Sequence, residues 1–183
     1  PEIIESVIDE GVGNKLKSVH PLVRLEGIGE IIRSENPFEI IKEITKNSDQ
    51  YTNRDIHDII DYLRIRGGVT DDDELIIADL LDSHDPNLVL AALVYFSRET
   101  PDNPEIIDHL EKTAVKSDDH RIVSMACYCL GETKDKSVIP TLIDILKNKD
   151  HRFSRRSAAK AIGNFEKSMK AKTALIDKLQ NDP

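Results

Sequence analysis

Three histidines of this 183-residue chain stand next to aspartates, at His84-Asp85, Asp119-His120 and Asp150-His151. Imidazole and carboxylate together form the donor set of many metal sites. The three pairs open successive recurring segments, however, and stacked helical segments start about 10 Å apart. That is too wide for one ion, so turn and helix-capping roles are expected and no metal. Cys127 and Cys129 lie two apart on a predicted helix, where their side chains diverge and do not easily bridge. Cys129 takes the small, inward place before Leu130-Gly131 and reads as a packing residue rather than a reactive thiolate. Gly11-Val12-Gly13 has neither the Lys-Ser/Thr ending nor the preceding strand of a phosphate-cradling loop. No catalytic constellation and no cofactor are expected, and the chain reads as a non-enzyme.

Charge is the more informative chemistry. The chain carries 25 Lys and Arg against 34 Asp and Glu, a net charge of −9. Residues 1–119 hold 12 basic against 27 acidic residues, and residues 120–183 hold 13 against 7. Such a chain has a considerable dipole, able to orient a charged partner. Glu39, Glu43, Asp79, Asp82, Asp108 and Glu111 fall at outward positions of predicted second helices and would suit a basic protein surface. Arg152, Arg155, Arg156 and Lys160, with Lys167, Lys170 and Lys172 nearby, form a basic end. Nucleic-acid binding is the sharper reading of that end, but the segment offers only Phe153 and Phe165 as aromatics, Trp is absent, and the net charge opposes a polyanion. A water-facing cap, or a docking surface for an acidic neighbour, is expected instead. The run Asp71-Asp72-Asp73-Glu74 has a local explanation, since carboxylates at a helix start meet the positive end of its dipole and cap free N–H groups.

These residues are positioned by an internal repeat. Asp119-His120-Arg121 opens a helix that runs to Leu130-Gly131, and a second helix follows with Leu142-Ile143-Asp144. Asp150-His151-Arg152 opens another that runs to Ile162-Gly163, followed by Leu175-Ile176-Asp177. Upstream, triplets at four-residue spacing mark first helices: Val23/Gly27/Ile31, the neighbourhood of Ile56/Ile60, and Leu88/Ala92/Phe96. Ile122/Ala126/Leu130 and Ser154/Ala158/Ile162 complete the series. Residues four apart share a helix face, and a small one in the middle lets a neighbour approach. The second helices are predicted over Pro37–Lys46, Asp72–Asp82, Pro104–Lys116, Val138–Lys147 and Lys172–Gln180. Ile139, Leu142, Ile143 and Leu146 are expected to face inward, with Thr141 and Asp144 pointing away. Gly131 and Gly163 are expected to end helices, Pro140 sits in a first turn, and Gly67-Gly68 and Thr100-Pro101-Asp102 mark turns. Residues 1–17 are expected to add one helix, with Ile3, Ile4, Val7 and Ile8 on its inner side.

The pattern Asp-x-x-x-x-x-x-Ala-x-x-x-Leu-Gly from Asp119 to Gly131, then Ile139-Pro140-x-Leu142-Ile143-Asp144-x-Leu146, resembles the bacterial HEAT-like repeats also found in phycobilin lyases. The resemblance covers Ser117 to Leu179 best and thins before Asp85. It implies an all-α fold, a right-handed α-α superhelix of about five helical hairpins plus the N-terminal helix. The whole chain is then one domain, with units near 18–48, 50–83, 84–117, 118–149 and 150–183. It implies a protein-binding scaffold, for which an inhibitor or immunity protein clamping a basic partner is one specific form. A chromophore lyase subunit acting on a phycobiliprotein, or a segment of a larger HEAT-repeat regulator, is the alternative. The opening at Pro1 suggests a trimmed start. Asp182-Pro183 matches the Asp85-Pro86 that opens the third unit, so the chain either ends at a repeat boundary or is followed by another repeat. The longest apolar run, Leu88 to Phe96, falls far short of the roughly 20 residues of a membrane span. With no disulfide framework and no signal peptide visible, a cytoplasmic location is expected.

Overall fold

A computed structural model describes residues 10–46, 53–165 and 168–181, and every regular element among them is helical. The chain forms two compact units, Pro1–Tyr95 and Phe96–Pro183. The first holds α1 (Glu10–Leu16), α2 (Pro21–Arg33), α3 (Pro37–Lys46), α4 (Asn53–Arg66), α5 (Asp71–Asp79) and nearly all of α6 (Pro86–Phe96). The second holds α7 (Pro104–Lys116), α8 (His120–Thr133), α9 (Ile139–Asn148), α10 (Arg152–Gly163) and α11 (Met169–Asn181). Short 3-10 turns at Leu80–Asp82 and Lys136–Val138 flank α5 and α9. No helix among the described residues is long and apolar enough to cross a membrane.

The helix starts follow from side chains that claim the free N–H groups of a first turn. Thr70 and Asp73 form a reciprocal capping box on α5: the Asp73 carboxylate accepts from the Thr70 N–H at 2.9 Å, and the Thr70 hydroxyl accepts from the Asp73 N–H. The acidic run at 71–74 therefore occupies a helix N-terminus, as its local reading expects. Asn103 caps α7, with Pro104 next to it; Asp119 caps α8, accepting from the Arg121 N–H at 2.8 Å. In α10 the cap is His151, whose Nδ1 accepts from the Phe153 N–H. The two Asp-His-Arg copies are thus offset by one residue in the structure. Twelve residues separate Asp119 from Gly131 and thirteen separate Asp150 from Gly163, and the extra residue moves the cap from aspartate to histidine.

The triplet residues form the core. Leu88, Ala92 and Phe96, Ile122, Ala126 and Leu130, and Ser154, Ala158 and Ile162 are all buried, as are Ile56, Ile59, Ile60 and Leu63 in α4. Val23 is only half-buried, while Gly27 and Ile31 are buried. Along α9, Ile139, Leu142, Ile145 and Leu146 face inward; Ile143 is half-exposed, its expected place taken by Ile145. The expectations for Ile3, Ile4, Val7 and Ile8 lie outside the described residues.

Gly131 departs from its predicted role. It is not a terminator: α8 runs on to Thr133 and Lys134 takes the left-handed cap position, with φ 56°. A Cβ at Gly131 would lie 2.9 Å from both Cα and Cβ of Ala161, so this glycine exists to let α10 pack against α8. Gly27 does the same for α1 and α2, though there the nearest atom is the Lys15 Cβ at 3.0 Å. Gly163, by contrast, is the last residue of α10, and nothing lies near its missing Cβ.

One device recurs in both units. The residue that ends one helix donates to a carbonyl near the end of the helix about a repeat earlier. Arg66 donates to the Ile32 carbonyl at 2.5 Å, Lys149 to those of Val115 and Ser117 at 2.8 and 2.7 Å, and Asn164 to that of Gly131 at 3.1 Å. Each claims a C-terminal carbonyl that has no partner within its own helix.

Candidate partner-binding surfaces

In the first unit, the starts of α3 and α5 enclose an open cleft of about 490 Å³. Glu35, Glu39, Asp72 and Asp73 line it, with Arg66. Arg66 already reaches the Ile32 carbonyl, and Asp73 holds the α5 cap. Glu35, Glu39 and Asp72 have no ion-pair partner among the described residues. Asp79 is exposed in the last turn of α5, and Asp82 is exposed in the 3-10 turn beyond it. The Glu43 side chain lies outside the described residues. Away from the cleft lining, the Lys15 ammonium joins α1 to α2 through Glu30 at 2.6 Å and Glu26 at 2.9 Å, and those carboxylates raise its pKa.

The second unit arranges its charges differently. Asp108 is exposed but paired with Lys112 one turn on, at 2.5 Å. Glu111, expected to point outward, is half-buried and accepts a short hydrogen bond from the Thr141 hydroxyl. α7 and α9 pack side by side, so the faces predicted to be free meet each other. Arg155 is likewise half-buried, its guanidinium donating to the Lys149 and Asp150 carbonyls at 3.0 and 2.5 Å. These two residues hold helices together.

Arg152, Arg156 and Lys160 behave otherwise. Four residues apart, they form one exposed stripe along α10. Arg152 lies over the Phe153 ring at 4.9 Å. Arg156 and Lys160 have no acidic partner among the described residues. They edge a groove between α8 and α10 whose α8 side carries His120, Arg121, Ser124 and Tyr128. Arg121 is pinned by Asp119, with Nη2 to Oδ2 at 2.7 Å, and that guanidinium, as hydrogen-bond donor, lowers the Asp119 pKa to about 2.

At the groove mouth the His120 and His151 rings stack, centroids 4.2 Å apart and planes 16° apart, with Phe153 beside both. The expected separation of about 10 Å is therefore wrong for these two. The one-residue offset puts His151 on the cap and His120 in the first turn, and the side chains lean together across the helix spacing. No group of three or more His, Cys, Asp or Glu suited to a metal occurs among the described residues. Cys127 and Cys129 are both free and buried, and burial pushes each thiol up to about 12.

α8 with α9 and α10 with α11 repeat one hairpin in sequence order, each first helix packed on the last. Residues 107–183 match the HEAT repeats family. No curated protein matches the chain. The all-α, HEAT-like fold expected from the repeat is the observed one. The HEAT-repeat match begins inside α7 and takes in the whole α8/α10 groove.

The sequence singled out Arg152, Arg156 and Lys160, but not the opposite wall. Its signal was available: His120, Ser124, Tyr128 and Glu132 are four apart, a polar stripe flanking the buried Ile122/Ala126/Leu130 triplet. Glu35 and Asp72 in the first unit were missed because one lies in a linker and the other reads as part of a helix start.

Proposed function

We propose that this chain is a non-enzymatic protein-binding module, and that its first unit takes a basic segment of a partner protein along the α3/α5 face. HEAT repeats commonly mediate protein–protein interaction. The observation that carries the reading is the set of unneutralised carboxylates around the α3/α5 cleft, Glu35, Glu39 and Asp72, with Asp79 exposed farther along α5. Carboxylates in such number, with Arg66 alone among them and tied to the Ile32 carbonyl, attract lysine and arginine side chains and speed encounter. A stable complex buries about 1,200 to 2,000 Å² in total, so the cleft would be the centre of a wider contact. An inhibitor that clamps a basic protein is the specific form we favour.

The test is affinity capture from the source cell at low and high salt, followed by titration of the purified partner. Glu39→Lys/Asp79→Lys/Asp82→Lys is expected to bind at least about tenfold more weakly, roughly 1.4 kcal/mol, with unchanged helical circular dichroism. A captured partner that resists salt and binds the triple variant as tightly as the parent would refute the acidic-face reading.

A further inference from the structure

We infer that the α8/α10 groove is a second, separate docking site, and that its occupant is an extended acidic segment of a protein. Two adjoining clefts of about 510 and 320 Å³ share Ser124, Ser157 and Lys160, so they are one groove along the two helices. From Arg152 to Asn164 the α10 wall extends about 18 Å at 1.5 Å per residue, room for about five extended residues.

The walls present what carboxylates need. Arg156 and Lys160 stand on one side with no acidic partner among the described residues, and Arg121 stands on the other, its guanidinium oriented by Asp119. Between them the Ser124 hydroxyl is buried and makes no hydrogen bond. A helical serine can donate back to the carbonyl four residues earlier, and this one does not. Exposed rings flank the cations: Phe153 is 44% exposed and Tyr128 is 49% exposed. Aromatics and arginines side by side are the usual anchors of a protein interface.

The far end discriminates between polyanions. Glu132 and Asn164 line it, the Asn164 amide donating to the Glu132 carboxylate at 3.1 Å. A strand of phosphodiesters, charged at every step, would run into that carboxylate, and affinity for it grows with the number of phosphates neutralised. Among the described residues the groove is lined by Arg156, Lys160 and the tethered Arg121 alone as cations, too few for such a strand. An acidic peptide can place carboxylates at Arg156, Lys160 and Arg121 and an uncharged residue beside Glu132.

The experiment is fluorescence anisotropy of the full chain with a labelled hexaglutamate peptide carrying a tyrosine at each end. A single-stranded hexanucleotide serves as the counter-probe. Binding of hexaglutamate at low salt is expected, weakened at least about tenfold by Arg156→Glu/Lys160→Glu and about threefold by Tyr128→Ala. Arg156→Gln/Lys160→Gln, which keeps size and removes charge, should weaken it as well, and Asp79→Lys in the first unit should not. No binding of hexaglutamate by the parent, binding by both double variants as tight as the parent's, or tighter binding of the hexanucleotide would overturn the assignment. A failed acidic face in the first unit leaves these outcomes unchanged, because both probes are anionic and that face would take a basic segment.

Discussion

The two units build alike and present themselves differently. Residues 1–95 carry 20 acidic and 9 basic side chains, and residues 96–183 carry 14 and 16. In the first unit the cleft carboxylates that lack an ion-pair partner among the described residues, Glu35, Glu39 and Asp72, sit where two second helices begin. In the second, the second-helix acids Asp108 and Glu111 are engaged, and the groove cations that lack an acidic partner among the described residues, Arg156 and Lys160, sit between two first helices. The core of each is the same kind of apolar, small, apolar stripe. A helical repeat thus constrains a few inward positions tightly and leaves each outward face free to take its own chemistry.

If the cores are equivalent, the largest effects should match across the units. Ile41→Ala and Leu110→Ala remove side chains with 0% exposure, and each should cost about 2–5 kcal/mol in denaturant titration. A loss under 1 kcal/mol in either would show that its unit is not packed as described. The glycines should then separate the units. Gly131→Ala drives a methyl into the α10 backbone and is expected to cost about 1–3 kcal/mol. Gly27→Ala meets the Lys15 Cβ at 3.0 Å but no backbone atom, and it gains helix propensity, so it should lower the thermal midpoint less than Gly131→Ala does.

Caps give a smaller and pH-dependent contrast. Thr70→Ala and Asp119→Ala should each cost about 1 kcal/mol at neutral pH. The Asp119 pKa is depressed in the folded state, so its contribution is fully present above the ordinary value of 3.8 and is lost as pH falls toward about 2. The gap between parent and Asp119→Ala should therefore close over that window in thermal melts; a constant gap would deny the Arg121 contact. The smallest expected signal is chemical. Both cysteines lie in the second unit, so thiol labelling at pH 8 reports on that unit alone. Native protein should label far more slowly than denatured protein, because burial keeps both thiols neutral there.

Much of this was legible beforehand, for a physical reason. Period and residue size are properties of sequence, so the bounds of α3 and α7, the buried triplets and the acidic cap at Asp71–Glu74 could be read directly. Fates of charged surface residues could not. Glu111 and Arg155 look as free as Glu39 and Arg156 until one knows which helix ends lie beside them. Gly131 looked like a terminator because a glycine after Leu130 carries the same letters whether the chain must turn or a neighbour must come close. The His120–His151 stack depended on a single extra residue in the second copy, which an alignment by motif conceals.

The long-range donations from Arg66, Lys149 and Asn164 bear on how such a chain can change its length. The donor and its acceptor are 34, 32 to 34, and 33 residues apart. Genetic duplication or loss of one whole period would carry every donor to an equivalent acceptor. A gain or loss of a few residues within a period would leave a donor and a carbonyl stranded at these helix ends, so the architecture favours growth in complete steps.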